Sequence, residues 1–515
     1  MTRKCLPFAI AMALLAGPVT AEDAAVATLR DAARQSVLEN PEVLAAWREF
    51  QAAAQEVHVA EGGYYPRVDL EAGVGEERIN DPRLDVNTFD RDRVSLNLSQ
   101  MLFDGFATRN EVRRLNHAAR TRYYEVLEIS EQAAVESARA YYDVLRHREL
   151  VTLSEENYAT HRMIYDQIER RVQAGISRRV DLEQAAGRLA LSESNLLTDV
   201  TNLHDVSTRF QRIIGALPGD TLEEPKLDPT IIPDSIEQTL RLAYVSSPLM
   251  NAAIANQWSA DAATDVAKAA YMPKFFLQAR QDLWHDRDDI RGRYEEGVIE
   301  LVMRYNLFNG GSDLAERRRL IEKHYQAQDI RNKTCRDIRQ DVTISWNNTR
   351  RLEEQKLYLD RHQLSIEKAR EAYRRQFDIG QRTLLDMLDT ENEYYEARRA
   401  YLNAERDHAI SYARTLAGAG RLVAALELGE NLQPMTLPPS YDTAVPDMYA
   451  ICPQERAPVL SIDKERVFRE AMEKRGFYNT PRNTEGAGAA DSLGDVLPPQ
   501  PAARDDKKSE GATQW

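Results

Sequence analysis

Asp386 and Asp389, three residues apart, are the pair of side chains in this sequence best placed to act together. On a helix that spacing puts both carboxylates on one face. Asp386 follows Gly380 by six residues, and Asp181 follows Gly175 by six. The two glycine–aspartate units share one offset, since 380 − 175 = 205 and 386 − 181 = 205. Each unit holds basic residues between its glycine and its aspartate, Arg178 and Arg179 in the first and Arg382 in the second. A carboxylate pair can hold a divalent cation or do acid–base work, but either task needs more ligands or a partner base. No such cluster accompanies the pair. Nine histidines are scattered without metal-ligand spacing, and there is no P-loop, no G-x-S-x-G and no C-x-x-C. An enzyme is therefore the least supported class, and no cofactor or metal is expected. A plainer role is open for each aspartate. Thr383 can cap a helix with Asp386 three residues on, and Asp389 can be a solvated surface charge.

The elements around these units are written twice. Phe103-Asp104-Gly105 recurs as Phe308-Asn309-Gly310 (308 − 103 = 205), and Asn40-Pro41 recurs as Ser247-Pro248 (248 − 41 = 207). A duplication at this scale sets the architecture of the whole chain. Within each copy the period changes in a fixed order. Residues 28–62 read as a helix broken near Asn40, because the residue before proline avoids the α region. Residues 67–75, RVDLEAGVG, alternate with a period of two, and so do residues 94–103 after a charged segment, which predicts a hairpin. In the second copy Phe275, Leu277 and Ala279 alternate with Gln278 and Arg280, and Ile299 through Leu307 alternate likewise.

After each hairpin comes a very long helix. Residues 107–173 contain no proline and no glycine, and about 65 helical residues span roughly 100 Å. Val112, Ala119, Val126, Ala133 and Ala140 fall seven apart, as a coiled-coil seam requires. In the second copy Ile338, Ser345, Leu352, Leu359, Ile366 and Tyr373 do the same. The glycine turns follow, and antiparallel helices return at about 177–214 and 383–417.

Composition narrows the setting. A net charge of −15 over 515 residues argues against nucleic acid, which needs clustered positive charge. Arg3 and Lys4, an apolar run over 6–17 and Val19-Thr20-Ala21 predict a signal peptide over 1–21, with the mature chain starting at Glu22. The expected organisation is then a first repeat over 22–220, a second over 221–420, an extension over 421–476 and a disordered tail over 477–515. Two cysteines remain after the signal, Cys335 and Cys452; an exported compartment permits a bridge between them, but sequence does not show proximity.

Alternating strands of this kind suit an outer-membrane barrel, apolar toward lipid and polar toward a lumen. Four strands cannot close, and lipid tolerates no open sheet edge, so closure requires further copies of the chain. A soluble periplasmic coiled-coil adaptor would share the helices but not need lipid-facing strands. The motifs ENPEV at 39–43, YYPRVDL at 64–70, LSQMLFDG at 98–105 and LFNGG at 307–311, with the two glycine–aspartate turns, resemble the TolC-type outer-membrane channel family over roughly 28–420. That resemblance implies a mainly α chain with a small β part: a homotrimer with a twelve-stranded barrel, a periplasmic α-helical tunnel of coiled-coil helices, and a closed tip. GGYYPRVDLEAG and LSQMLFDGFATRNEV are most similar to the branch serving type I secretion, whose partners are a periplasmic membrane-fusion protein and an inner-membrane ABC transporter. The multidrug-efflux branch is the alternative. By the same resemblance Asp386 and Asp389 match the family's entrance aspartates, which a threefold axis would turn into carboxylate rings that favour cations and crowd their own pKa values upward. Asp181 and Arg382 match its closing contact. Phe377 stands where the family has a tyrosine, so one hydrogen bond of that contact is absent, and Arg178 or Arg179 can share the load. The residues flanking Gly175 and Gly380 are expected to meet the fusion protein.

Overall fold

The computed structural model describes residues 26–79, 87–287, 290–429, 437–438, 445–453, 455, 457–458 and 462–475. The expected signal peptide and disordered tail lie outside these residues. The chain divides into two units, Met1–Glu455 and Arg456–Trp515.

In the first unit the order is α1 (Leu29–Glu39), α2 (Pro41–Glu61), β1 (Arg67–Ile79), β2 (Asn87–Phe103), α3 (Ala107–Gln173) and α4 (Arg179–Ile214). The same order repeats as α5 (Ile236–Ser246), α6 (Pro248–Lys268), β3 (Lys274–Arg287), β4 (Ile290–Arg304), α7 (Ser312–Asp378) and α8 (Leu384–Gly418). The copies match in length: α1 and α5 have 11 residues each, α2 and α6 have 21, and α3 and α7 have 67. Asn40 breaks the first helix as expected. It sits at ψ 127°, and its side chain accepts from the Glu42 N–H at 2.9 Å while Pro41 takes the first helical position. Two short helices follow the repeats, α9 (Leu422–Ala425) and α10 (Met448–Ile451).

The four strands form one antiparallel sheet in the order β1-β2-β3-β4. They have 13, 17, 14 and 15 residues, longer than the expected runs. In the first hairpin the extra length comes from the two ends of the charged segment, residues 76–79 and 87–93, which continue the strands. Glu77 pairs with Arg91 at 3.0 Å and Glu71 with Arg93 at 3.3 Å across the strands, so opposite charges support a ribbon that sequence polarity alone marks as loop. β4, by contrast, stops at Arg304 instead of reaching Leu307. The Asn306 side chain accepts from the Phe308 N–H at 3.1 Å and turns the chain away.

The register sorts the side chains by face, because directly paired residues share one. Val68, Leu98, Ala279 and Ile299 form one row, and Ala72, Val94 and Leu283 belong to another on the same side. The opposite face carries Asp69, Asn97 and Arg280 in one row and Glu71, Ser95, Asp282 and Glu296 in the next. On that face Asp282 is buried, accepts from the Ser95 hydroxyl and pairs with Arg280 at 2.6 Å.

The largest core lies where α1, α3, α4, α8 and α9 meet, around Tyr141, Phe210, Leu416 and Leu422. A second gathers Tyr244, Met250, Ile338 and Val342 with Met448 of α10. There Cys335 and Cys452 form a disulfide, so this part of the extension is stapled to α7. Arg339 reinforces it by donating to the carbonyls of Pro453 and Glu455 at 3.1 and 2.8 Å. The seam on α3 is buried at all five expected positions, from Val112 to Ala140. On α7 only Ile338 and Leu352 of the expected six are buried; the buried positions instead step through Val342, Thr349 and Gln363. Cys335, Val342, Thr349 and Gln363 keep the seven-residue step themselves, so the contact line on α7 follows the parallel heptad row four residues on from the expected one. The second unit contains α11 (Lys464–Lys474), capped by Asp463 accepting from the Arg466 N–H at 3.0 Å.

Candidate functional site

The two glycine turns come together at the ends of α3 and α7. Ile164 and Ile168 of α3, Phe377 of α7, and Leu384, Met387 and Leu388 of α8 form a small apolar core there, with Leu182 of α4 against it. Both turns use the same backbone device. Gly175 and Gly380 have φ of +73° and +77°, a left-handed conformation that disfavours a side chain. The N–H of Gly175 donates to Val172 O and that of Ile176 to Arg171 O, at 3.0 and 2.8 Å; Gly380 and Gln381 repeat the pattern to Phe377 O and Gln376 O at the same distances. Each is a Schellman motif that closes a 67-residue helix and sends the chain back.

Each returning helix starts on its aspartate. The Asp181 carboxylate accepts from the Arg178 backbone N–H at 3.1 Å. Asp386 forms the full reciprocal cap: Thr383 N–H donates to its carboxylate at 3.2 Å, and its own N–H donates to the Thr383 hydroxyl oxygen at 3.2 Å. The Thr383 hydroxyl also donates to the Asp386 carboxylate, and this holds the carboxyl below its ordinary range.

Asp181 and Arg382 are not brought together within the chain. Arg382 stays in its own repeat, stacked 4.3 Å over the Tyr373 ring, donating to Gln376 at 3.0 Å, with Asp386 at 3.9 Å. Phe377 is buried, and its ring lies under Arg171 of the first repeat at 5.5 Å. In place of a hydroxyl contact, therefore, it offers an apolar and cation–π contact between repeats. Arg178 and Arg179 are exposed. Asp389 pairs with Arg188 of α4 at 2.6 Å, which sequence reasoning missed. One signal was available: the position matching Asp389 in the first repeat is Gln184 (389 − 205), and Arg188 lies one helical turn beyond it.

Further from the turns, Asp199 of α4 is fully buried and binds α8 of the other repeat. Arg399 grips it with two nitrogens at 2.7 and 2.9 Å, and the Ser154 hydroxyl of α3 donates to it as well.

Among the described residues no helix is long and apolar enough to cross a membrane. The sheet carries an exposed apolar face, with Leu70, Val74 and Ile299 each more than 70% exposed. A family model described as outer membrane efflux protein matches residues 32–216 and 239–420. The chain belongs to the outer membrane efflux protein family. The two matched segments are the two repeats. The chain is 25% identical over 438 residues to the outer membrane efflux protein BepC of Brucella suis, covering 82% of this chain and 92% of the relative. It is 22% identical over 428 residues to the proteases secretion protein PrtF of Dickeya chrysanthemi, covering 78% and 88%. Among solved structures, the CmeC outer membrane channel of Campylobacter jejuni aligns with a TM-score of 0.69 at 16% identity, covering 76% of this chain and 85% of that one. The fold is that of TolC-type outer-membrane channels, and the relatives are named for both efflux and secretion.

Proposed function

We propose that three copies of this chain close a twelve-stranded barrel (3 × 4) in the outer membrane, and that their helices form a tunnel through the periplasm. The observation that carries this reading is the sheet. Among the described residues, β1 and β4 pair on one side only, leaving two free edges of 13 and 15 residues beside an exposed apolar face. Such edges and such a face are stable together only when other copies pair with the edges and lipid covers the face. At about 3.3 Å per residue the strands run roughly 43–56 Å, enough to cross the ~30 Å hydrocarbon layer at a tilt. In this reading the tunnel is a passive duct. A periplasmic membrane-fusion protein would dock at the glycine turns, where Ile176 and Ile379 are both 69% exposed beside Arg178 and Arg179, and an inner-membrane ABC transporter would supply the energy.

Asp386 and Asp389 would line the closed entrance as carboxylate rings. Asp181 and Arg382 would latch it between neighbouring chains, since they do not meet within one. Arg382→Ala is expected to raise the conductance of the purified channel; unchanged conductance places the latch elsewhere.

The cargo we assign is a protein of the type I secretion class, supported by the strand motifs and by the similarity to PrtF. The similarity to BepC favours a second reading, a small-molecule efflux duct. Cells with and without the chain separate the two. Loss of one or a few large secreted proteins with unchanged drug tolerance supports secretion. Intact secretion with sharply raised drug sensitivity assigns the chain to efflux.

A further inference from the structure

Arg188 is the one residue near the turns that joins the two repeats through a charge on a candidate entrance aspartate. Its guanidinium lies 2.6 Å from the Asp389 carboxylate, linking α4 to α8. Two neighbouring acidic groups are already engaged. Asp386 is held by Thr383 and stands 3.9 Å from Arg382, whose guanidinium is stacked on Tyr373. Glu391, two residues past Asp389, is buried and paired with Arg370 at 2.7 Å. His161 of α3 is buried beside Arg188, and burial, reinforced by that arginine, pushes its pKa down to about 4. It is therefore neutral at pH 7 and adds no charge. What remains is a positive charge in contact with Asp389 and a longer, weaker contact at Asp386.

We propose that Arg188 is a selectivity-determining residue: it neutralises the Asp389 ring, so that Asp386 alone sets the cation preference of the entrance. This rests on the reading above that both aspartates face the channel axis. The consequence is specific. Two acidic rings would be expected of the sequence, whereas this pairing leaves one effective ring and makes the second conditional on α4 and α8 staying together. An opening movement that separated those helices would unmask the second ring and change selectivity as well as width.

The test is the reversal potential of the purified full-length channel in planar bilayers under a potassium chloride gradient. R188Q adds one uncompensated negative charge per chain, and the ratio of K⁺ to Cl⁻ permeability is expected to rise about twofold or more at 0.1 M salt. D389N is expected to lower it, and the double variant R188Q/D389N to return it to the wild-type value. R188K keeps the charge and should leave the ratio unchanged, which separates a charge effect from disturbed folding. If D386N and D389N both lower the ratio while R188Q leaves it at the wild-type value, the inference about Arg188 is wrong and the ring reading stands. If neither aspartate variant moves the ratio, the ring reading fails and this inference fails with it.

Discussion

Asp199 gives the most demanding test of the packing argument. It is a fully buried carboxylate on α4 that holds α3 and α8 through four donors: two nitrogens of Arg399, the Ser154 hydroxyl and the Tyr395 hydroxyl at 3.3 Å. Burial pushes its pKa up, but the Arg399 and Ser154 donors outweigh that, and the net shift is downward. Asp199→Ala leaves the Arg399 guanidinium, 28% exposed, without its acceptor. Breaking a buried pair by removing one member costs about 3–5 kcal/mol, and Arg399's partial access to water points to the lower end, about 3 kcal/mol. Asp199→Asn keeps the shape and some hydrogen bonds while losing the charge, for about 1.5–3 kcal/mol. Replacing both partners with apolar residues of similar size, Asp199→Leu with Arg399→Met, is expected to fall within about 1 kcal/mol of wild type, since no charge is left stranded. The assay is loss of helical circular dichroism against heat or urea on detergent-purified protein. The pH dependence follows from the depressed pKa. Asp199's contribution is fully present above the unfolded value of about 3.9 and is lost as pH falls through the folded one. The gap between wild type and Asp199→Asn should therefore close in acid. An Asp199→Ala protein within about 0.5 kcal/mol of wild type at pH 7 would refute the reasoning, because that is the scatter of ordinary surface changes.

Other outcomes are as specific. Gly175→Ala and Gly380→Ala meet no atom within 4 Å, so only the left-handed backbone opposes them; each should lower stability by about 1–2 kcal/mol in thermal unfolding, with no clash to relieve. Glu131 of α3 is buried, accepts from the backbone N–H groups of Leu422 and Val423, and burial pushes its pKa from 4.5 up to about 8. A raised carboxyl pKa means the folded state holds the proton longer, so stability falls as pH rises from about 4.5 through 8; Glu131→Gln should flatten that slope in Tm measured at pH 5 and pH 8.5. Reducing the Cys335–Cys452 bridge, which spans 117 residues of sequence, should cost about 2–4 kcal/mol, read as a Tm difference with and without reductant.

What the sequence makes legible here is whatever repeats with a period. The absence of glycine and proline over 107–173 gives α3 to the residue, and alternation gives the four strands. The glycine turns are legible because a positive φ is a backbone demand with few alternatives. The contacts that join the repeats are not periodic. Arg188 and Asp389 are 201 residues apart, Asp199 and Arg399 are 200, and each reads in isolation as an ordinary helix charge. The strand ends are hidden for a related reason: Glu77 and Arg91 look like loop residues until the register sets them diagonally across neighbouring strands. Asp386 was open to two readings, and the cap it forms with Thr383 occupies the carboxylate without excluding a place on a channel axis.

The account stands or falls on whether the chain conducts. The deciding measurement is single-channel recording of the purified full-length protein in a planar bilayer. Discrete conductance steps, with a preference for cations that D386N reduces, are the predicted result. A protein that never inserts or conducts, and that is recovered soluble from the periplasm without detergent, would contradict it and leave a soluble coiled-coil adaptor in its place.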